Sequence, residues 1–323
     1  MRITVLTYVD EENGEKDPVV GQVAAALRKN KHTVSVMAIH DDVKKLIAGL
    51  ARRKPDLVFN LIEEFGDHPS GNMLATGVLD LLGYHYTGCS PGEFYLGQDK
   101  ALAKRLLAFE NVLYPQFAVF SQDKGFESAG NLRLPLFVKP VAMDASIGIG
   151  KKSLVRDSGA LMRRVLAIHE ECGDAALAEE FIDGREFYVG VLGNYDPLAL
   201  PPVEADFSRL PEGAPKVYDR NAKWEPGSVE HTAITTAVAD VPDELRARLQ
   251  KVAIDAYRAL RVRDYGRVDL RVTETGDIYV LEVNASCYLE KNDEFAVAAR
   301  AAGISYPELI QRVVDLAVAR YGV

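Results

Sequence analysis

Arg267-Val-Asp269 and Glu282-Val-Asn284 place a guanidinium, two carboxylates and a carboxamide at alternate positions of two short stretches. In β-strands alternate side chains share a face, so Arg267 would point with Asp269, and Glu282 with Asn284. Val268, Leu270, Leu281 and Val283 occupy the other positions and are expected to face a core. Three hard oxygen ligands beside a basic residue suit Mg2+ bound to phosphate. The same residues can also be read as a solvated strand face closed by a cross-strand salt bridge.

Upstream, Phe137-Val-Lys139-Pro140 ends an apolar run just before the small, Gly-rich stretch Asp144–Gly150. A lysine offers phosphate a point charge, and glycines let backbone N–H groups approach it. The spacing matches neither GxxxxGK[ST] nor GxGxxG, and a β-turn with a surface lysine is the alternative. Glu179-Glu-Phe-Ile182-Asp-Gly-Arg-Glu186 sets carboxylates beside an aromatic and an aliphatic side chain. Such a set can hold an adenine ring and its ribose, or simply connect two strands. Cys89, Cys172 and Cys287 are far apart, odd in number and form no CxxC pair, which suggests neither a zinc ribbon nor a disulfide framework. Cys287 has no histidine near it in sequence and reads as a packed thiol rather than a nucleophile.

The elements that must position these residues alternate in type. The first ~95 residues read as strand, helix, strand, helix, strand, helix: Ile3–Thr7, Val19–Lys29, Thr33–Ile39, Asp42–Arg53, Asp56–Ile62 and Asn72–Leu82, the last ending at Gly83. That order predicts a parallel sheet with helices on both faces and ligands beyond the carboxyl ends of its strands. A middle segment carries an amphipathic helix over Asp99–Asn111, a strand over Leu134–Val138, a helix over Ala160–Glu171 and a strand over Ala175–Ile182. The last segment reads as strands Glu186–Leu192 and Ala199–Ala205, a polar insert Asp206–Glu230, and a helix Pro242–Leu260 capped by Asp240 or Asp243. A hairpin Gly266–Thr273 and Ile278–Asn284 turning at Gly276, and a closing helix Tyr306–Tyr321, complete it.

The chain has 323 residues, 48% hydrophobic and 26% charged, which is globular composition enough for two or three domains. Its net charge of -9 argues against a nucleic-acid footprint. No run of about 18 apolar residues is present, and the start lacks the apolar run of a signal peptide. A cytoplasmic protein with no membrane span is expected.

Taken together, Asp99–Lys104, Leu134–Pro140, Glu179–Phe187, Val189–Gly193, Gly266–Asp269, Leu281–Asn284 and Ala301–Tyr306 resemble, in this order, the ATP-grasp superfamily. Within it they resemble the D-alanine–D-alanine ligase family over nearly the whole chain. The resemblance implies an α/β ATP-grasp fold with an N-terminal Rossmann-like (pre-ATP-grasp) parallel-sheet domain. Its parts would be a substrate domain over 1–96, a central ATP-grasp subdomain over 97–182 and a C-terminal subdomain with the metal and catalytic site over 183–323. It implies an ATP-dependent carboxylate–amine ligase working through an acyl phosphate, with two Mg2+ ions (Mn2+ as a substitute), small-molecule substrates and a homodimer. Lys100, Lys139 and Ser146 would contact ATP phosphates. Glu179 and Ile182 would meet the adenine edge, Phe181 its face and Glu186 the ribose. Lys223 would reach the phosphates from a covering loop and, with Arg267, serve catalysis. Asp269, Glu282 and Asn284 would bind the metal. Gly148, Gly150 and the Asp206–Glu230 insert are lid candidates, because water must be kept from an acyl phosphate.

The acceptor half departs from the family pattern. After Asn284 the family continues with a small residue, then proline and glycine, where this chain has Ala285-Ser-Cys-Tyr288. Ala145 and Trp224 stand where the family has a serine and a tyrosine, and Glu63 ends a strand that in the family ends in His-Gly. Glu12 (with Glu11 and Glu15 in adjacent registers), Glu63, Tyr288 and Asp293 are therefore the expected substrate contacts. Two further readings follow: a ligase for another amino acid, peptide or metabolite, and a non-catalytic ATP-binding paralogue.

Overall fold

The computed structural model describes residues 1–322 apart from 12, 13, 15, 67, 69, 123, 124, 129–131, 144–147, 212, 213, 215, 218–226 and 229–231. The calls on Glu12, Glu15, Ala145, Ser146, Lys223 and Trp224 lie outside the described residues.

Strands β1 (Arg2–Tyr8), β2 (Thr33–Ile39) and β3 (Leu57–Asn60) form a parallel sheet in the order β2-β1-β3. Parallel neighbours need crossovers, and helices α1 (Pro18–Lys29) and α2 (Val43–Arg53) supply them. Asp17 caps α1 by accepting from the Val19 N–H at 2.8 Å, and Pro18 opens the helix, where its missing N–H costs nothing. Ile3 and Val5 pack with Val20, Val23 and Leu27 of α1. On the other face Leu6 meets Leu46 and Leu50 of α2 and Leu79 of α3 (Gly71–Leu81). The alternation read in the sequence thus gives the expected two-faced parallel sheet.

Helices α4 (Pro91–Gln98) and α5 (Lys100–Phe109) lead into a second, antiparallel sheet. It comprises β4 (Phe117–Ser121), β5 (Gly125–Ser128), β6 (Leu136–Pro140), β7 (Leu154–Val155) and β8 (Ala176–Glu180), in the order β5-β4-β8-β6-β7. Helix α6 (Ser158–Cys172) covers one side through Val165 and Ile168. Helix α5 is held between two cores. Ala101 packs with Phe117, Val119 and Leu177 of this sheet, while Ala103 and Leu107 join the core of the next.

The third sheet holds β9 (Arg185–Leu192), β10 (Leu198–Ala199), β11 (Val203–Asp206), β12 (Thr235–Val238), β13 (Tyr265–Val272) and β14 (Ile278–Asn284), in the order β12-β11-β9-β13-β14 with β10 beside β9. Helix α7 (Asp243–Ala259) covers its apolar face, and α8 (Glu294–Ala301) and α9 (Tyr306–Tyr321) close the chain. Several expectations change here. Ala199–Ala205 is two strands, because Pro201 and Pro202 interrupt the ladder. Helix α7 has Pro242 at its N-cap with no side-chain cap, and Asp243 sits inside the first turn instead. Leu281 does not face the core: the β13–β14 register shifts between Asp269 and Leu270, so Asp269 pairs with Glu282 but Leu270 pairs with Val280. Leu281 is the extra residue of a bulge, half-exposed, and Val280 is the buried one.

Candidate active site

The charged residues of β13 lie on one face of the third sheet. Arg267, Asp269 and Arg271 pair across β9 with Gly190, Tyr188 and Glu186. Arg267 and Asp269 pair across β14 with Asn284 and Glu282. The intervening Val268, Leu270 and Val272 turn to the other face and pack with Leu249, Ala253 and Ala256 of α7. One period-two alternation therefore builds a core on one side and a polar site on the other.

Within this face Arg267 holds Asp269 with a fork, Nε at 2.8 Å and Nη2 at 3.1 Å from the two carboxylate oxygens. Its Nη1 lies 3.4 Å from Glu294 Oε2, and its guanidinium sits over the Tyr188 ring. Burial pulls the Arg267 guanidinium down, but Asp269 and then Glu294 outweigh it and hold it well above its ordinary value. Glu294 reaches this place because α8 packs closely on β9. A Cβ at Gly190 would lie 2.8 Å from the Phe295 ring. Neither Glu294 nor Tyr188 was expected from the sequence.

The lysines arrive from the neighbouring elements. Lys100, first residue of α5, donates to the Met143 carbonyl at 2.7 Å and stands 3.4 Å from Glu282 Oε1. Asp99 fixes that helix start by accepting from the Leu102 N–H at 2.8 Å. Lys139 of β6 lies 2.8 Å from Glu179 Oε1, and Lys104, one turn beyond Lys100, lies 2.9 Å from Glu179 Oε2. All three residues of this second cluster are buried. Burial raises Glu179, but Lys104 and Lys139 together hold its carboxyl below its ordinary value. Burial lowers the Lys104 ammonium against the attraction of Glu179. Glu179 thus has a different setting from the one expected at an adenine edge: its carboxylate joins two lysines. Lys104 was missed, although its i+4 spacing from Lys100 places it on the same helix face.

Beside these, Phe181, Ile182 and Glu186 gather around Arg271. Arg271 Nη1 donates to the Ile182 carbonyl at 2.9 Å, and its guanidinium stands over the Phe181 ring at 5.3 Å. Its Nη2 is paired with Glu186 Oε2 and donates to the Lys216 carbonyl at 2.8 Å. Glu186 Oε1 accepts from the Tyr188 hydroxyl at 2.7 Å. Burial first, then Glu186 and Asp269, push that hydroxyl far up, so it remains a donor.

A metal can be weighed from the donors present. Among the described residues no three His, Cys, Asp or Glu side chains converge, so a site here has to include Asn284. Asp269, Glu282 and Asn284 give hard oxygens from adjacent strands, which fits Mg2+ and not a soft metal. Asn284 Nδ2 is buried with no hydrogen-bond partner, so the amide is not used up within the protein.

Past Asn284 the chain lines a cavity of about 270 Å3 with Ser286, Cys287, Tyr288 and Leu289. Its other walls come from beyond the carboxyl ends of β1 and β3, including Asp10, Glu63 and Glu64, together with Asp17. Among the described residues no lysine, arginine or histidine lines it. Tyr288 donates its hydroxyl to Asp17 Oδ1 at 2.6 Å. Burial first, and Asp10 after it, raise the Glu64 carboxyl. Burial pushes the Cys287 thiol well above its ordinary value, which disfavours a nucleophilic thiolate. Asp293 lies apart from this cavity, at the start of α8 beside Glu294, and burial followed by Glu294 raises its carboxyl.

Comparison with known proteins completes the picture. A family model described as "D-ala D-ala ligase C-terminus" matches residues 106–315. A D-alanine–D-alanine ligase of Gloeobacter violaceus is 33% identical over 98% of this chain and 99% of its own length. An uncharacterized protein of Sinorhizobium fredii, y4sG, is 33% identical over 94% of this chain and 88% of its own. Among solved structures, a D-alanine–D-alanine ligase of Bacillus anthracis complexed with ATP superposes with a TM-score of 0.74 at 21% identity, covering 100% of this chain and 99% of that one.

Proposed function

The chain belongs to the D-alanine–D-alanine ligase family of carbon–nitrogen ligases and has its ATP-grasp fold, and on that premise we propose that it joins a carboxylate to an amine at the expense of ATP. The observation that carries this reading is the approach of Lys100 to Glu282 at 3.4 Å. An expected phosphate lysine and an expected metal carboxylate, from distant parts of the sequence, share one place.

In the proposed reaction the γ-phosphoryl group passes to a substrate carboxylate. Its bond to the ADP oxygen breaks, and a bond to a carboxylate oxygen forms. The amine then attacks the acyl carbon, the C–N bond forms, phosphate leaves, and the nitrogen gives up a proton. Both steps concentrate negative charge, so fixed cations supply most of the catalysis. Lys100 and Lys139 are the proposed phosphate contacts, each already held by a carboxylate. Arg267, fixed by Asp269 and Glu294, faces the transferred group and the tetrahedral oxyanion. Ser146 and Lys223 keep their expected phosphate roles as part of this proposal. Phe181, Ile182 and Glu186 receive the base and ribose, and Glu179 serves as the joint that holds Lys139. Asp269, Glu282 and Asn284 would hold Mg2+, which when bound neutralises phosphate oxygens. The cytoplasm, where ATP is made available, is the proposed compartment.

The relatives' names make D-alanine the first substrate to try. The cavity favours a second reading, because Asp10, Asp17, Glu63 and Glu64 repel a free carboxylate and attract an ammonium group. ADP release measured with D-alanine alone, and with D-alanine plus D-alaninamide, separates the two. Turnover on D-alanine alone supports the dipeptide reaction, and turnover that needs the amide supports the second. In either case ADP release is expected to require Mg2+ and to fall at least 100-fold in Asp269→Asn and Glu282→Gln. A wild-type protein that binds no ATP in calorimetry refutes both.

A further inference from the structure

Arg271 is the most engaged cation of the third sheet that the proposed reaction leaves without a task. It is 3% exposed. Its fork spans three walls of the region proposed for the nucleotide. One terminal nitrogen holds the carbonyl of Ile182, in the segment joining the second and third sheets. The other is shared between Glu186 and the carbonyl of Lys216. The plane of the group lies over Phe181. Phe181, Ile182 and Glu186 were each assigned to the nucleotide on separate grounds, and Arg271 touches all three.

Two details point to a ligand. Glu186 is held from both ends, by Arg271 on Oε2 and by the Tyr188 hydroxyl on Oε1. A carboxylate oxygen accepts about two hydrogen bonds, so each keeps one acceptor position, and the pair fits a vicinal diol. In addition, Arg271 Nε is buried with no hydrogen-bond partner. An orphaned buried N–H is costly and is normally matched by something that binds.

We propose that Arg271 is a positioning and specificity residue of the nucleotide site, which sets selectivity for a ribose over a deoxyribose by fixing Glu186 for the sugar diol. The inference rests on the ATP reading above. The guanidinium pins the carboxylate in one orientation, and its free Nε–H is an additional donor for a sugar or base acceptor. An ammonium in its place can keep the charge but neither the fork nor the planar contact with Phe181.

The test compares ATP with 2′-deoxy-ATP in the full-length protein. Calorimetric Kd values and KM values are measured for wild type, Arg271→Lys and Arg271→Met, with melting temperature as the control for folding. Wild type is expected to prefer ATP by about tenfold or more, as sites that bond a hydroxyl do. Arg271→Lys is expected to keep its fold and lose most of that preference. In Arg271→Met the KM for ATP should rise at least tenfold as the preference approaches one. Should Arg271→Met fail to fold, the Lys variant decides alone. A wild-type preference below twofold, or a Lys variant that discriminates as well as wild type, overturns the proposal and leaves the ATP reading standing. Absence of ATP binding by wild type removes the ATP reading and this inference with it.

Discussion

Glu179 shows how one side chain can organise a site without being its reactive group. Its carboxylate is buried between the ammonium groups of Lys139 and Lys104, at 2.8 and 2.9 Å. Two positive charges and one negative charge in a dry place make the carboxylate the limiting member. Replacing it leaves two buried ammonium groups facing each other, a change of the kind that costs about 3–5 kcal/mol. Lys104→Met instead leaves Glu179 paired with Lys139 and removes one of the repelling cations. Glu179→Gln is therefore expected to lower the urea midpoint more than Lys104→Met. The reverse order would mean that the cluster is solvated and its charges are screened. The residues that carry this argument were only partly legible in the sequence. Lys139 and Glu179 stood out because each ends or begins an apolar strand. Lys104 did not, because a lysine on a surface-like helix gives no sign that two sheets will close over it. Arg271 was more accessible to reasoning, since it continues the period-two series of Arg267 and Asp269.

At the scale of elements, the hairpin of β13 and β14 is the clearest success of periodicity and also marks where periodicity fails. Alternation predicts both strands, their turn at Gly276 and the shared face of Asp269 and Glu282, and the register agrees. It also predicts Leu281 in the core, which is wrong by one residue. Alternation on each side of a bulge is perfect, and only their phase differs, so a single inserted residue is invisible in either half. The bulge lets Glu282 and Asn284 face the site while Val280 and Ile278 stay with α7. Val280→Ala is accordingly expected to cost about 2 kcal/mol, from two lost buried carbon groups and the cavity left behind. Leu281→Ala removes more atoms but is expected to cost under about 1 kcal/mol, because that side chain is half in water. Chemical denaturation of the two variants checks the ordering, and a costlier Leu281 change would place the bulge elsewhere. Helices α4 and α8 escaped the sequence reading for another reason. Each has eight residues, about two turns, too few to show a 3.6-residue period, and α8 begins inside the charged run Glu290–Glu294.

Across the whole molecule, the parts that must stay aligned for a two-substrate reaction meet at Asp264. This residue, just ahead of β13, is fully buried, and its carboxylate is shared by distant segments. It accepts from the Gly88 N–H at 2.8 Å, where the first sheet's segment ends, and from Asn194 Nδ2 at 3.1 Å. Arg320, near the end of α9, gives it a fork from Nε at 3.2 Å and Nη2 at 2.9 Å. Arg320 Nη2 also reaches the Tyr86 carbonyl at 2.9 Å. The last helix thus fastens the end of the first segment to the start of the catalytic strand. That alignment matters because the acid-lined cavity takes walls from the first sheet and from the stretch after β14. Removing Arg320 leaves Asp264 charged and buried with only neutral donors, at a cost of about 3–5 kcal/mol. Arg320→Lys keeps the charge but not the fork, so its loss should fall between wild type and Arg320→Ala. If the penalty comes from the stranded charge, Asp264→Asn in the Arg320→Ala background should recover much of it, a non-additivity that a double-mutant cycle reads directly. Additive losses would mean that Arg320 acts through packing on Tyr321 and not through Asp264, and the joint would then lie elsewhere between these segments.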